Sequence, residues 1–325
     1  MSKIIECVPN FSEGQNSAII QSIAHAISKA KEVKLLDIDA GFHANRTVFT
    51  FAGEPNGVIE AAFQAIKTAS QLIDMREHNG THPRIGACDV CPLIPISGVS
   101  MEETIEYSKK LGQRVANELD IPVFLYENAS STTERKNLAW LRSGEYENLE
   151  NKLKKDNFKP DFGEPKFNAR SGIAIIGARP FLIAYNVNLA TKDVSAAKEI
   201  ASLIREKSAT GLPKVKAIGW YIDEFDKVQV STNITDFNIT PVHEVFEKVK
   251  ECASELDTQV TGSELVGMIP LKAIVDCGEY YLRSNKMANI FTNDELIEFG
   301  AKYLNLNEVK PFEAAKKVIE LALNL

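Results

Sequence analysis

VKLLDIDAGFHANRTVFTFAGE, residues 33–54, decides the fold. It holds two extended runs with too few residues between them for a helix. In VKLLDIDA (33–40), Asp37 and Asp39 fall on one face and Leu36 and Ile38 on the other, the period of a strand. RTVFTFAGE (46–54) is a second run rich in β-branched and aromatic residues. On the N-terminal side, residues 15–30 carry Ile19, Ile20, Ile23, Ala26 and Ile27 at helical spacing, and KIIECV (3–8) is a strand ending at Pro9. On the C-terminal side, GVIEAAFQAIKTASQLI (57–73) is helical and ACDVCPLIPI (87–96) returns to a strand. The order is β-α-β-β-α-β, the split βαβ unit. A helix over 102–119 and a strand over 121–126 extend it.

The same order recurs further on. FLIAYNVNL (181–189), DVSAAKEIASLIREK (193–207), VKAIGWYID (215–223), KVQVSTNIT (227–235), PVHEVFEKVKECASEL (241–256) and TGSELVGMI (261–269) read as strand, helix, two strands, helix and strand. Glu224, Phe225 and Asp226 turn between the paired strands. The repetition is of element order, not of letters. Two subdomains, 1–180 and 181–325, are therefore expected in an α/β (α+β) chain, each a ferredoxin-like β-α-β-β-α-β unit with its sheet backed by helices. The last 45 residues read as mostly helical, and the Lys-rich stretch 143–171 as a solvated connection.

Composition bounds the chemistry. The 325 residues carry 37 basic and 44 acidic side chains, a net charge of −7, which disfavours a protein that coats nucleic acid. No run approaches the roughly 18–20 apolar residues of a membrane span, and MSKIIECVPNFSEG does not resemble a signal peptide. Five scattered cysteines do not form a disulfide framework and fit a reducing, cytoplasmic setting. No G-x-G-x-x-G or P-loop pattern appears; GIAIIGAR (172–179) is only a weak glycine signal.

Reactive side chains are densest in DMREHNGTHPRIGACDVC (74–91). The spacing H-x3-H-x5-C-x2-C invites a zinc reading. Gly80 and Pro83 break the helix that would put His78 and His82 on one face, and the odd spacing of Cys88 and Cys91 sends them to opposite faces of a strand. No metal is expected, and the cysteines read as small buried hydrophobes. His82, in a Gly-Thr-His-Pro loop, reads either as a turn histidine or as an acid–base group able to take and give a proton near neutral pH. Arg76 and Arg84 beside it in sequence are the expected anion-holding groups. Asp39, at a strand end beside a glycine turn, either orients a histidine or caps the turn.

These stretches together resemble the glutamate formiminotransferase (glutamate formimidoyltransferase) family. The resemblance rests on ECVPNFSEG (6–14), LLDIDAG (35–41), NRTVFTFAG (45–53), LIDMREHNGTHPRIGACDVCPLIPI (72–96), GEYENL (144–149), PDFG (160–163), GARPFLIAYNVNL (177–189), and GWYIDE with VSTNITDF. It runs from the N-terminus to the final helix. It implies two α/β subdomains with folate held between them, and transfer of the formimino group of N-formimino-L-glutamate to N5 of tetrahydrofolate, with or without a polyglutamyl tail. Tetrahydrofolate would be a co-substrate, with no metal.

The resemblance places the acid–base role on His82, assisted or oriented by Asp39, with Asn45 and Arg84 lining the pocket and His78 structural. It assigns folate binding to GEPKFNARSG: Gly163, Glu164, Pro165, Lys166, Phe167, Asn168, Ala169, Arg170, Ser171 and Gly172. Lys166 and Arg170 are expected to attract the glutamyl tail. It further implies a cytoplasmic homodimer in histidine degradation and one-carbon metabolism, with no nucleic-acid or membrane partner. The cyclodeaminase domain fused to the vertebrate enzyme is not expected to be carried over. Two other readings stand beside this one: a formyltransferase using N-formylglutamate, and a non-catalytic folate-binding protein.

Overall fold

Strand β1 (Ile4–Cys7) and strand β2 (Asn10–Phe11) form one path broken at Pro9, which has no N–H to offer a ladder. The path stays in the sheet because Val8 N donates to Pro92 O and Pro9 O accepts from Phe49 N. The computed structural model describes residues 2–223, 225–287 and 290–325, so Glu224 of the hairpin turn lies outside the described residues. The chain divides into two units, Met1–Pro180 and Phe181–Leu325.

In the first unit, α1 (Ser17–Ser28), β3 (Val33–Gly41), β4 (Arg46–Gly53), α2 (Pro55–Leu72) and β5 (Cys88–Ser97) follow β2. Then come α3 (Met101–Leu119), β6 (Val123–Glu127), the short helices α4 (Leu138–Arg142) and α5 (Leu149–Leu153), and β7 (Ala174–Ala178). The strands lie in the order β3-β4-β1/β2-β5-β7-β6. The helices α1, α2 and α3 bury their apolar stripes on one face, against Ile5, Cys7, Phe11, Phe49, Phe51 and Leu93. GIAIIGAR, weak as a glycine motif, supplies β7, which runs parallel between β5 and β6. All five residues of β7 are buried, as expected of a strand covered on both faces, where alternation disappears.

The other face of the sheet is split in two. Over β5, β7 and β6 it carries Val90, Ile175, Phe124 and Tyr126, covered by Leu141, Leu149, Leu153 and Phe158. The Lys-rich stretch is therefore not the solvated connection expected of it. Lys152 lies with its ammonium donating to Leu141 O (2.8 Å) and Ser143 O (2.9 Å) over the Phe158 ring, and burial lowers its pKa to about 8. Arg135 pairs with Asp161 (2.6 Å), whose carboxylate also accepts from Leu125 N and so pins this covering segment to β6. Over β4 and β3 the strand alternation that turns Phe49 and Phe51 to the helices turns Arg46, Val48 and Thr50, with Asp39 and Asp37 opposite the last two, to this second face.

Cys88 and Cys91 do not take opposite faces. Asn10 pairs with Val90 and Phe11 with Cys88, so Asp89 is the extra residue of a β-bulge. The bulge cancels the odd spacing and puts both thiols in the helix-covered core, where Cys91 Sγ lies 3.5 Å from Cys7 Sγ. It also re-aims Asp89.

In the second unit, β8 (Ile183–Leu189), α6 (Val194–Ile204), β9 (Val215–Ile222), β10 (Lys227–Ile234), α7 (Val242–Glu255) and β11 (Val260–Val266) form a four-stranded antiparallel sheet ordered β11-β8-β10-β9. Matching β8, β9, β10 and β11 to β1/β2, β3, β4 and β5 gives the same spatial order in the first unit. Both units are thus built on the ferredoxin-like plan, sheets backed by helices, with the first extended by β7 and β6. Helices α8 (Leu271–Ser284) and α9 (Asn293–Tyr303) add to the second core.

Candidate active site

Three loops meet at the start of β4, and Asn45 ties them. Its backbone is left-handed (φ 47°), a conformation asparagine tolerates better than most residues. Its Oδ1 accepts from Gly14 N (2.9 Å), its Nδ2 donates to Asn79 O (2.7 Å), and its carbonyl accepts from His78 Nε2 (2.8 Å). The loops approach so closely that a Cβ on Gly80 would stand 2.4 Å from Ala44 O, and one on Gly14 2.4 Å from Gly41 O. Both ends of the Asn45 amide are therefore spent on the backbone, and the side chain sets loop geometry. Asn45→Ala orphans the buried Gly14 N at about 1–3 kcal/mol, and frees the part-buried Asn79 O at a smaller cost. Thermal or urea unfolding of this variant is expected to show a loss of about 1–3 kcal/mol.

His78 is held from both sides. With Nε2 donating to Asn45 O, its Nδ1 lone pair accepts from Arg84 Nε (3.2 Å). Both ring nitrogens are committed, the arrangement of a structural histidine and not of a metal ligand. Arg84 is buried and turned away from His82. It donates to His78 O, pairs with Glu147 (2.5 Å) and Glu145 (2.9 Å), and those carboxylates raise its pKa. Arg76 pairs with Asp74 at the surface (2.5 Å). The expectation that Arg76 and Arg84 gather around His82 is thus corrected: each has carboxylates of its own.

The cations at His82 come from elsewhere. Arg46, on the second face of β4, donates through Nη1 to His82 Nε2 at 2.7 Å. A guanidinium has no acceptor, so Nε2 carries the lone pair and the proton of the neutral ring sits on Nδ1. That Nδ1 is buried and has no hydrogen-bond partner among the described residues. Burial first, then the positive charges of Arg46 and Arg142, press the His82 pKa down to about 3. Arg142, at the end of α4, pairs with Asp89, and its Nε is a second buried donor without a partner among the described residues. Asp89 is completed by Ile85 N (3.0 Å). The bulge in β5 and the covering helix α4 thus bring a second arginine to the histidine.

Asp39 is exposed on β3, paired in register with Val48. Among the described residues it makes no hydrogen bond or ion pair with His82, and it acts on the site through its charge, which favours the protonated form of Arg46.

Of the 163–172 stretch, Ser171 and Gly172 are buried against β5: Ser171 O accepts from Ala87 N, and Gly172 bridges Gly86. Asn168 closes a turn on Ser171 N and donates to Asp120 O. Arg170 donates to Ser70 O and Gln71 O and pairs with Asp74 (3.3 Å), so its guanidinium is occupied. Phe167 packs on the Tyr146 ring, whose hydroxyl donates to Ala169 O. Gly163, Glu164, Lys166 and Phe167 line a cavity of about 190 Å³ with Asp120–Pro122, while Pro165 is exposed beside it.

Arg46 and Arg142 are the site groups that sequence reasoning passed over. Arg46 carried a signal, since it shares the parity of Val48 and Thr50 opposite the buried Phe49 and Phe51. Arg142 carried none, because nothing in LAWLRSGEY marks it for β5.

Two family models cover the chain. The formiminotransferase domain, N-terminal subdomain, matches residues 4–179, and the formiminotransferase domain matches 184–324. Among similar proteins, the formimidoyltransferase-cyclodeaminase of Mus musculus is 47% identical over 98% of this chain, which spans 60% of that relative's length. The glutamate formimidoyltransferase of Streptococcus pyogenes serotype M1 is 42% identical over 87% of this chain and 94% of its own. That of Thermoplasma acidophilum is 41% identical over 87% and 93%. With both halves matched end to end and each half on the same doubled plan, the chain belongs to the formiminotransferase domain family.

Proposed function

We propose that this protein is a glutamate formimidoyltransferase: it moves the formimino group of N-formimino-L-glutamate to N5 of tetrahydrofolate, giving 5-formiminotetrahydrofolate and L-glutamate. The observation that carries the reading is His82, a neutral imidazole with an unpartnered buried Nδ1–H, set between two guanidiniums. N5 attacks the formimino carbon, and the tetrahedral adduct collapses when the bond from that carbon to the glutamate nitrogen breaks. Between these events N5 loses a proton and the departing nitrogen gains one. A single neutral histidine can take the first and return the second. Holding two substrates together supplies a further part of the rate.

In this reading Asp39 assists electrostatically from the strand end. The 163–172 stretch contacts folate, with Lys166 available to the glutamyl tail and Arg170 already engaged by Asp74. The buried, unpaired thiols fit a reducing cytoplasm. Tetrahydrofolate is a co-substrate, the work is in histidine degradation and one-carbon metabolism, and a homodimer follows from family resemblance.

The test mixes purified protein and tetrahydrofolate with N-formiminoglutamate or, separately, N-formylglutamate, and follows the folate spectrum and glutamate release. Turnover with the formimino donor is expected. Folate binding without turnover of either donor would refute the reading.

A further inference from the structure

We propose that Arg46 is a positioning residue that acts as a carboxylate-operated latch on His82: it holds the Nε2 lone pair in the unliganded protein, and a carboxylate of the glutamyl substrate draws it away and frees that nitrogen to act as a base. The inference rests on the formimidoyltransferase reading for the identity of the substrate, and on the structure for the latch.

The geometry poses a problem for a free enzyme. The base nitrogen of His82 already accepts a hydrogen bond from Arg46 at 2.7 Å, so it cannot take a proton without breaking that contact. Arg46 is half-buried, and its partner is a neutral ring, the weaker kind of acceptor for a guanidinium. Charges around the ring do not balance. Arg46 from β4 and Arg142 from α4 face it. One buried carboxylate, Asp89 on β5, answers them and is spent on Arg142 and Ile85 N; Asp39 on β3 stands exposed toward Arg46. Burial, and then the like charge of Arg142, depress the affinity of Arg46 for its proton. A missing negative charge at this spot is therefore the simplest completion of the site.

An incoming carboxylate finds prepared donors: the Arg46 guanidinium and the unpartnered Nε–H of Arg142. Exchange of a neutral acceptor for a charged, bidentate one favours Arg46 leaving the ring. The same anion offsets both cations that hold His82 deprotonated, so the proton affinity of the ring rises as its lone pair is exposed. Substrate binding thus converts a silent imidazole into a working base, and water bound alone does not, because it brings no charge.

The experiment uses the full chain labelled with 15N at the histidine imidazoles. Its long-range 1H–15N spectra are followed from pH 3 to 8, with and without saturating L-glutamate. Without ligand, His82 should remain the neutral Nδ1–H form down to about pH 3–4. With glutamate its midpoint should rise by at least about one unit, a tenfold gain in proton affinity. Arg46→Gln should raise the ligand-free midpoint and abolish the glutamate response, and should raise KM for the donor about tenfold or more. Arg46→Lys should restore part of both. A His82 midpoint that glutamate does not move, or moves equally in Arg46→Gln, overturns the latch. Should Arg46→Gln fail to fold, the wild-type titration and Arg46→Lys still decide it. The two ideas fail separately: absence of turnover removes the transferase reading and leaves the glutamate-dependent shift to be judged by itself, whereas turnover with an unmoved His82 midpoint removes only the latch.

Discussion

Replacing His82 by alanine is expected to lower kcat for formimino transfer by about 10²–10⁴-fold, with donor and folate affinities changed far less. In the proposed mechanism the ring carries two proton transfers that neither substrate can make for itself at neutral pH, and His78 cannot stand in for it. His78 has both nitrogens bonded, to Asn45 O and Arg84 Nε. His82→Gln, which keeps polarity and loses the titratable group, should be as inactive as the alanine variant. The ring also leaves a mark on stability. Its pKa is about 3 in the folded chain against an ordinary value near 6.5 when unfolded. Between those values the unfolded chain binds more protons than the native one, so this group makes stability rise with pH across that window and fall as acid is added. Urea midpoints measured from pH 6.5 downward should therefore fall less steeply in His82→Gln than in the parent chain. Near-normal kcat in both variants would remove His82 from the chemistry, and an unchanged acid slope would remove it from the buried, cation-flanked setting described above.

Much of this was legible in the letters because local rules and tertiary structure agree. The alternation of Asp37 and Asp39 around Ile38, and the helical spacing of Ile19, Ile20, Ile23 and Ile27, specify elements that need no distant partner to be identified, although Leu36, expected to share a face with Ile38, is instead the extra residue of a bulge opposite β4. The doubled order followed from them. What escaped was decided by long-range contact. Strand β7 is buried on both faces, so it shows no alternation. Lys152 reads as a solvated charge until three nearby carbonyls and an aromatic ring are seen around it. The two cysteines share a face because one extra residue, Asp89, is inserted opposite β2, and a bulge leaves no trace in spacing. The site divides in the same way. His82 stands out by composition and loop context, but its neighbours in sequence, Arg76 and Arg84, are engaged elsewhere. Its neighbours in space come 36 residues before it in sequence, for Arg46, and from the far covering segment, for Arg142.

The bulge also sets the largest expected loss of stability. Asp89→Ala should destabilise the chain by about 3–5 kcal/mol, the range for removing one partner of a buried ion pair. Asp89 is 1% exposed, and the Arg142 side chain is 16% exposed. Without the carboxylate, Arg142 is left desolvated with its cationic neighbour Arg46 close by, and Ile85 N loses its acceptor (3.0 Å). The cost comes from the stranded charge more than from the lost attraction, and this can be separated by experiment. Removing the charge as well, in Asp89→Ala with Arg142→Met, should recover a large part of the loss, because an apolar chain of similar length is cheap to bury beside Leu141 and Val90. Activity should not recover with it. If Arg142 served only to hold α4 on the sheet, the repaired double variant would regain kcat as well as stability. If it also supplies positive charge to the site, as its position beside His82 implies, stability returns and transfer remains impaired. Urea unfolding and steady-state rates on the same two variants distinguish these outcomes. An Asp89→Ala variant as stable as the parent would show that the pair is not the anchor of this face.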